Sequence, residues 1–396
     1  MRHCQGCARL RALLSALIAG TLCIGGDVAA QSSTGAQGFG YPPGQLSTRA
    51  IGLGASMVEL DPVSPRNPAS LARWGRPGLY MQYDPEFRRV TSAGGRDGTV
   101  NIRFPLIGGA TRIGRKLSAG VSISTLLDRT YTTESSNTQV VDGSDLTATT
   151  LYQSAGGLND VRLGFAYELS PQLSVGVAGH VVTGENRVTI STTFDRTDFL
   201  QLNQQSEVNY SGTAFSAGAN WLPGGNFALA GSVRLQGALR ASRDEQTIDA
   251  GHLPLRTGLS VAYTGIAGAV FAAGANWDNW SQIRIGSPNV YSQDTRELGV
   301  GVEVEGPRLR GAVVALRGGF RSRDLPFGAN RGSPELPSIA FPTEQAFALG
   351  AGVPLATFGG GSRAMLDLSV QRAVRSGFAG ISERAYTLSL GLAVRP

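Results

Sequence analysis

Apolar and polar residues alternate one by one over long stretches of the chain. Tyr386, Leu388, Leu390, Leu392 and Val394 fall on one parity, with Thr387, Ser389, Gly391 and Ala393 on the other. Leu298, Val300, Val302 and Val304 oppose Glu297, Gly299, Gly301 and Glu303, and Val161, Leu163, Phe165 and Tyr167 oppose Arg162, Gly164, Ala166 and Glu168. Leu117, Ala119, Val121 and Ile123 oppose Ser118, Gly120, Ser122 and Ser124 in the same way. Successive side chains of a strand point to opposite faces, so a period of two predicts strands, whereas a helix would scatter these residues around its circumference. Fourteen strands are expected, near 78–90, 98–110, 117–130, 159–168, 173–186, 209–221, 227–240, 255–264, 268–280, 294–305, 310–322, 344–355, 363–374 and 383–395.

The connections alternate as well. Short turns such as Gly114-Arg115-Lys116, Ser170-Pro171-Gln172 and Pro223-Gly224-Gly225-Asn226 take turns with longer polar loops expected at 131–158, 187–208, 241–254, 281–293 and 323–343. Short turns at one end and long loops at the other are the pattern of a membrane-spanning barrel, and closure leaves no sheet edge unsatisfied in lipid. The fold class read from this pattern is all-β: a 14-stranded antiparallel transmembrane β-barrel with a short amino-terminal plug or hatch segment. A secreted propeller or sandwich is the soluble alternative.

The polar parity carries Arg162, Glu168, Arg234, Arg256, Glu297, Glu303, Arg317, Asp367 and Gln371. An arginine on the lipid face near the midplane costs about 2–4 kcal/mol, so these residues are expected to line the lumen. There they either hold the wall together through ion pairs and hydrogen bonds or take part in transport.

The domain plan has three parts: a signal peptide over 1–30, a hatch segment over 31–77 and the barrel over 78–396. Arg2, Arg9 and Arg11, the apolar run Ala12 to Ile24, and the small residues Val28-Ala29-Ala30 form the export signal. It contains Cys4, Cys7 and Cys23, so the exported chain is expected to hold no disulfide. Within the hatch, Met57 to Leu60 reads as a helical turn, and Asn67 caps a short helix that begins at Pro68. Fourteen strands lie between a barrel that side chains fill and one that leaves an aqueous channel, so an open lumen would leak unless occupied. The helix cap and closely spaced glycines favour an ordered plug over a loose tail.

Arg49-Ala50-Ile51-Gly52-Leu53-Gly54-Ala55, followed by Asp61-Pro62 and Asn67-Pro68-Ala69, resembles the amino-terminal signature of the FadL-like family of outer-membrane long-chain fatty-acid and hydrocarbon transporters. It is also similar to the related PorV-like barrels of a protein-secretion system. The resemblance implies a hatched barrel in the bacterial outer membrane, contacts with outer-membrane lipids, and passive transport of hydrophobic small molecules such as long-chain fatty acids. The PorV-like branch implies instead a binding or assembly barrel for secreted protein partners. Gly52, Gly54, Asn67, Pro68 and Ala69 are the candidate hatch and ligand residues.

Composition adds exclusions. The 54 glycines show no three-residue repeat, which rules out collagen. Beyond the first thirty residues no apolar run reaches the length of a spanning helix. The net charge of +6 includes three arginines and Asp27 of the signal, and the remaining charge is scattered, so no nucleic-acid partner is expected. No cofactor, metal site or catalytic residue is expected. After the signal, only His180 and His252 remain as imidazoles, and an enzyme reading would require His180 to meet a serine and a carboxylate from other strands.

Overall fold

The computed structural model describes residues 38–92, 95–141, 144–283, 285, 291–309, 311–330, 339–358, 361–378 and 381–395. The signal expected over 1–30 lies outside the described residues. Among these residues the chain is a closed antiparallel barrel of fourteen strands. The first seven are β1 (Gly78–Ser92), β2 (Gly95–Arg103 continued by Leu106–Ile113), β3 (Leu117–Asp128 continued by Tyr131–Val141), β4 (Ser144–Ser170), β5 (Leu173–Phe194), β6 (Leu202–Gly224) and β7 (Phe227–Arg234 continued by Ala238–Arg243). The others are β8 (Gln246–His252 continued by Arg256–Ile266), β9 (Ala269–Asp278), β10 (Thr295–Leu309), β11 (Ala312–Asp324), β12 (Thr343–Phe358), β13 (Gly361–Phe378) and β14 (Ile381–Val394). Neighbours in sequence pair throughout, and β1 pairs with β14 from Leu79↔Val394 to Thr91↔Ser382, which closes the ring.

Each strand expected from the alternation is present, and the parity is as read. Leu163, Phe165, Leu298, Val300 and Tyr386 face outward and are exposed, whereas Asp160, Arg162, Glu297 and Thr387 are buried inside. Leu79, Phe215, Leu259 and Leu349 are each more than 60% exposed at 71, 68, 65 and 72%, so the outer wall presents bare hydrocarbon. Such a surface is stable only against lipid chains. The architecture is that of an integral barrel of the outer-membrane type.

The loops expected at 131–158, 187–208 and 241–254 are corrected by the structure. They are mostly ladder: 131–141 pairs with 144–154, 148–158 pairs with 184–194, and 192–183 pairs on into 202–211. The reason is chemical. Above the lipid both faces of these strands meet water, so polar β-formers replace the apolar parity and the period-two signal vanishes. Cross-strand hydroxyl pairs support them, as between Ser136 and Thr149 at 3.0 Å and between Thr150 and Thr192 at 3.1 Å. At the same end, Trp280, Ile283, Ile285 and Phe327 fold inward over the mouth, Phe327 from a small sheet formed with Tyr291–Ser292 and Ile339–Ala340.

Residues 38–77 run inside the ring. Two short helices organise them: α1 (Thr48–Gly52) and a 3-10 helix over Pro68–Arg73. The first of these was not foreseen from the sequence. Ser47 caps it, its Oγ accepting from Ala50 N at 3.0 Å, and Leu46, Ala50, Ile51, Ala55 and Val58 form its own small buried cluster.

Candidate functional site

The interior is built where this segment meets the wall. Asn67 is the cap expected from the sequence: its Oδ1 accepts from Ala69 N at 2.9 Å, with Pro68 following as the first residue of the 3-10 turn. Its Nδ2 also donates to the Glu59 carbonyl at 2.9 Å, which fastens one bend of the segment to the next. Asn67, Pro68 and Ala69 are buried against β5 and β6, where Gly176 and Gly218 admit them; no side chain would fit there. Gly52 lies against Gly350 and Ser369. Gly54 sits at φ +60°, and a β-carbon there would stand 2.5 Å from the Phe320 amide nitrogen. The five hatch residues thus fall into two separate contacts of segment with wall, Gly52 and Gly54 against β11 to β13 and Asn67, Pro68 and Ala69 against β5 and β6.

Three of the polar wall residues, Glu303, Arg256 and Glu297, pair with that segment, and the others pair within the wall or lie buried in it. Glu303 accepts from Arg49 Nη2 at 2.8 Å and from Arg317 Nε at 2.6 Å, and Arg317 also pairs with Asp367. Arg256 donates to Asp278 at 2.9 Å and to Gln45 Oε1 at 2.6 Å. Glu297 lies 3.8 Å from Arg66 of the segment and 3.7 Å from Arg321. Arg234 donates to Asp160 Oδ2 at 3.3 Å, Arg162 is buried beside it, and Glu168 pairs with Arg112 at the half-exposed rim near the tight turns.

Two arrangements escaped the sequence reading. The first is a clamp around Tyr41. Its ring lies under the guanidinium groups of Arg375, Arg323, Arg88 and Arg103, with 4.1, 5.1, 5.4 and 5.6 Å from each Cζ to the ring centroid. Its hydroxyl donates to Glu344 Oε2 at 2.8 Å and accepts from Arg323 Nη2 at 2.5 Å. Glu344, fully buried, also accepts from Arg321, Arg323 and Arg375 at 2.9, 2.8 and 2.7 Å. Tyr41 N and O each bond Asp128 across 2.8 Å, where β3 breaks. The second arrangement joins Asp160, His180 and Ser216 on β4, β5 and β6. Parity marks all three as inward-facing, but only the register between strands puts them side by side.

Apolar surface appears in two places. Inside, toward the long hairpins, Phe39 packs with Leu127, Leu158, Val182, Leu239 and the inturned Trp280 and Phe327, forming an apolar layer above a polar lumen. Outside, β6, β7, β8 and β9 present small residues to the lipid: Ala217, Ala219, Gly231 and Ala275 floor a groove of about 640 Å³ walled by Leu259 and Trp277. An adjoining groove of about 560 Å³ extends it toward Trp221 and Leu298. The inward neighbours on these strands include Gly218, Gly258 and Gly274, which touch Asn67, Glu59 and Ser56 of the segment. At these three glycines no side chain separates the ladder from the segment. Cavities between segment and wall are small, about 30 Å³ beside Arg66 and Trp280 and about 10 Å³ beside Leu71 and Trp74, room for little more than one water.

With this geometry, solved structures offer a comparison of fold. The chain superimposes on a Pseudomonas aeruginosa FadL homologue with a TM-score of 0.59 at 12% identity, over 90% of this chain and 99% of that one. The Ralstonia pickettii toluene transporter TbuX gives 0.53 at 13% identity, over 93% and 99% of the two chains. The monoaromatic hydrocarbon channel CymD gives 0.52 at 13% identity, over 89% and 97%. At such identities the likeness establishes a shared fold, and the FadL-like architecture expected from residues 49–69 is the one found. A search of curated proteins gave no match. The sequence model of the BamG family matches residues 29–246, from before the interior segment to the eighth strand, and on that match the chain belongs to the BamG family.

Proposed function

We propose that this barrel lies in the bacterial outer membrane and lets hydrophobic small molecules pass through it without an energy source. The observation that carries the reading is the wall groove: about 640 Å³ of apolar surface, open to lipid, on strands whose Gly218 and Gly258 meet the interior segment directly. Its volume suits a small organic ligand, and its lining of Ala, Gly, Val, Leu and Trp with one serine and one threonine carries no charge. It therefore selects hydrocarbon. Toluene and monoaromatic hydrocarbons are the compounds named for the neighbours TbuX and CymD. A long-chain fatty acid would use the groove through its chain alone. The interior apolar layer around Phe39 supplies a second resting place nearer the outside. With cavities of 10–30 Å³ between segment and wall, passage requires the segment to shift, and Gly52, Gly54, Asn67, Pro68 and Ala69 are the contacts that such a shift breaks. The test is uptake of a labelled hydrocarbon by cells that lack the native barrel and carry Ala275→Trp, which fills the groove from the lipid side. Uptake should fall to the level of the empty strain while the barrel still folds; uptake equal to wild type refutes the reading.

A second reading, a binding or assembly barrel for a secreted protein, is favoured by one feature. β4, β5 and β6 run for 27, 22 and 23 residues, far more than the 9–11 that cross a bilayer, and raise polar hairpins above the surface. Shortening the 131–154 hairpin should then release a stoichiometric protein partner without altering hydrocarbon uptake.

A further inference from the structure

We infer that Ser216, His180 and Asp160 form a nucleophile–base–acid relay that hydrolyses esters of apolar acyl groups. His180 Nε2 lies 2.8 Å from Ser216 Oγ, and His180 Nδ1 lies 2.9 and 3.1 Å from the two oxygens of Asp160. The tautomer follows from the partners. Asp160 accepts from Gln45 Nε2 at 3.1 Å and from Arg234 Nη1 at 3.3 Å, so it is held as a carboxylate, which only accepts. His180 Nδ1 must then carry the proton, and Nε2 turns a lone pair toward the Ser216 hydroxyl. That is the arrangement in which imidazole can take the serine proton.

Two further features belong to a reaction site rather than to a strut between strands. Arg234 stands directly across the ladder from Ser216, and Arg162 directly across from His180. Both are at least nine-tenths buried, and among the described residues Arg162 Nε and Nη1 and Arg234 Nε and Nη2 have no acceptor. Cationic N–H groups left over beside a nucleophile are what a developing oxyanion requires. One pleat above the three residues, on the same inward faces, lie Leu158, Val182 and Ala214 of the apolar layer. An acyl chain would lie there, with its carbonyl at Ser216. The cover over that layer comes from Phe39, Trp280 and Phe327, which are not part of the barrel ladder, so it opens without breaking the wall.

The chemistry balances with water as the second reactant. Ser216 Oγ bonds to the ester carbonyl carbon while its proton passes to His180 Nε2. The carbon–oxygen bond to the alcohol breaks, and the leaving oxygen takes that proton. Water then adds to the acyl-serine, its proton passes through His180 to Ser216 Oγ, and the carboxylic acid departs.

A biotinylated alkyl fluorophosphonate applied to the purified, detergent-solubilised barrel tests the inference. Folding is followed by heat-modifiable migration in gels. The adduct should map by mass spectrometry to Ser216, vanish in Ser216→Ala and form about 100-fold more slowly in His180→Gln. Mapping the wild-type adduct needs no variant, so a misfolded substitution does not obscure the answer. A p-nitrophenyl decanoate should be cleaved faster than the acetate. Absence of an adduct on Ser216 in both folded wild type and folded Phe39→Ala, where the cover is opened, overturns the inference.

Discussion

Replacing Glu344 by glutamine keeps the size of a fully buried side chain and removes its charge. In the native interior this carboxylate receives Arg375, Arg323 and Arg321 at 2.7, 2.8 and 2.9 Å and the Tyr41 hydroxyl at 2.8 Å. The other carboxylates near these arginines, Glu297, Glu86 and Glu383, are shared with Arg66, Arg88 and Arg103. The substitution therefore strands about one positive charge where water does not reach it. Breaking one side of a buried pair costs about 3–5 kcal/mol, because the partner's desolvation remains while its attraction is gone. Since the clamp joins the interior segment to the wall, the loss should appear first as loosening of residues 38–77 and then as a lower urea midpoint. Unfolding in lipid vesicles, followed by tryptophan fluorescence, measures the second; trypsin sensitivity of the segment measures the first. An unfolding free energy within about 0.5 kcal/mol of wild type, with an equally resistant segment, would refute the idea that charge pairing holds the plug.

Other substitutions grade the same argument. Tyr41→Phe keeps the ring under Arg375 and loses the hydroxyl contacts to Glu344 and Arg323, so about 1–2 kcal/mol is expected in the same unfolding assay. Gly54→Val meets both a φ of +60° and the Phe320 backbone at 2.5 Å, and should cost at least about 1 kcal/mol while raising the electrical leak of single barrels in planar bilayers. Arg187→Ala removes ion pairs to Glu185 and Glu207 at 3.0 and 3.2 Å on half-exposed hairpins, and should change the unfolding free energy by less than about 1 kcal/mol. A larger loss there would mean that the tall hairpins support the barrel.

The wall was legible because lipid outside and ions inside write opposite demands onto alternate residues, as Leu163 and Arg162 illustrate on one strand. Where lipid ends, that contrast ends too, and 131–158 read as loop although it is ladder. Asn67 and Pro68 announced their turn through capping chemistry, which is local. Thr48–Gly52 did not, since its helix is only five residues long and relies on Ser47 and on contacts with β12 and β13. Tyr41 carried no local mark at all: four arginines from four strands converge on it through register. The same holds for Asp160, His180 and Ser216, where parity gives the face but only pairing of β4 with β5 and β5 with β6 gives the neighbourhood.

The ring's closing joint has a builder's consequence. Arg88 and Tyr80 belong to β1, Arg375 to β13 and Ser389 to β14, so Tyr41 and Thr48 between them grip both flanks of the joint: Thr48 N donates to Tyr80 Oη at 3.0 Å, and Thr48 Oγ1 meets Ser389 Oγ at 2.8 Å. This stretch, which precedes every strand of the ring in the chain, thus serves as a keystone for the hoop, and threading it through a finished hoop would mean prising that joint apart.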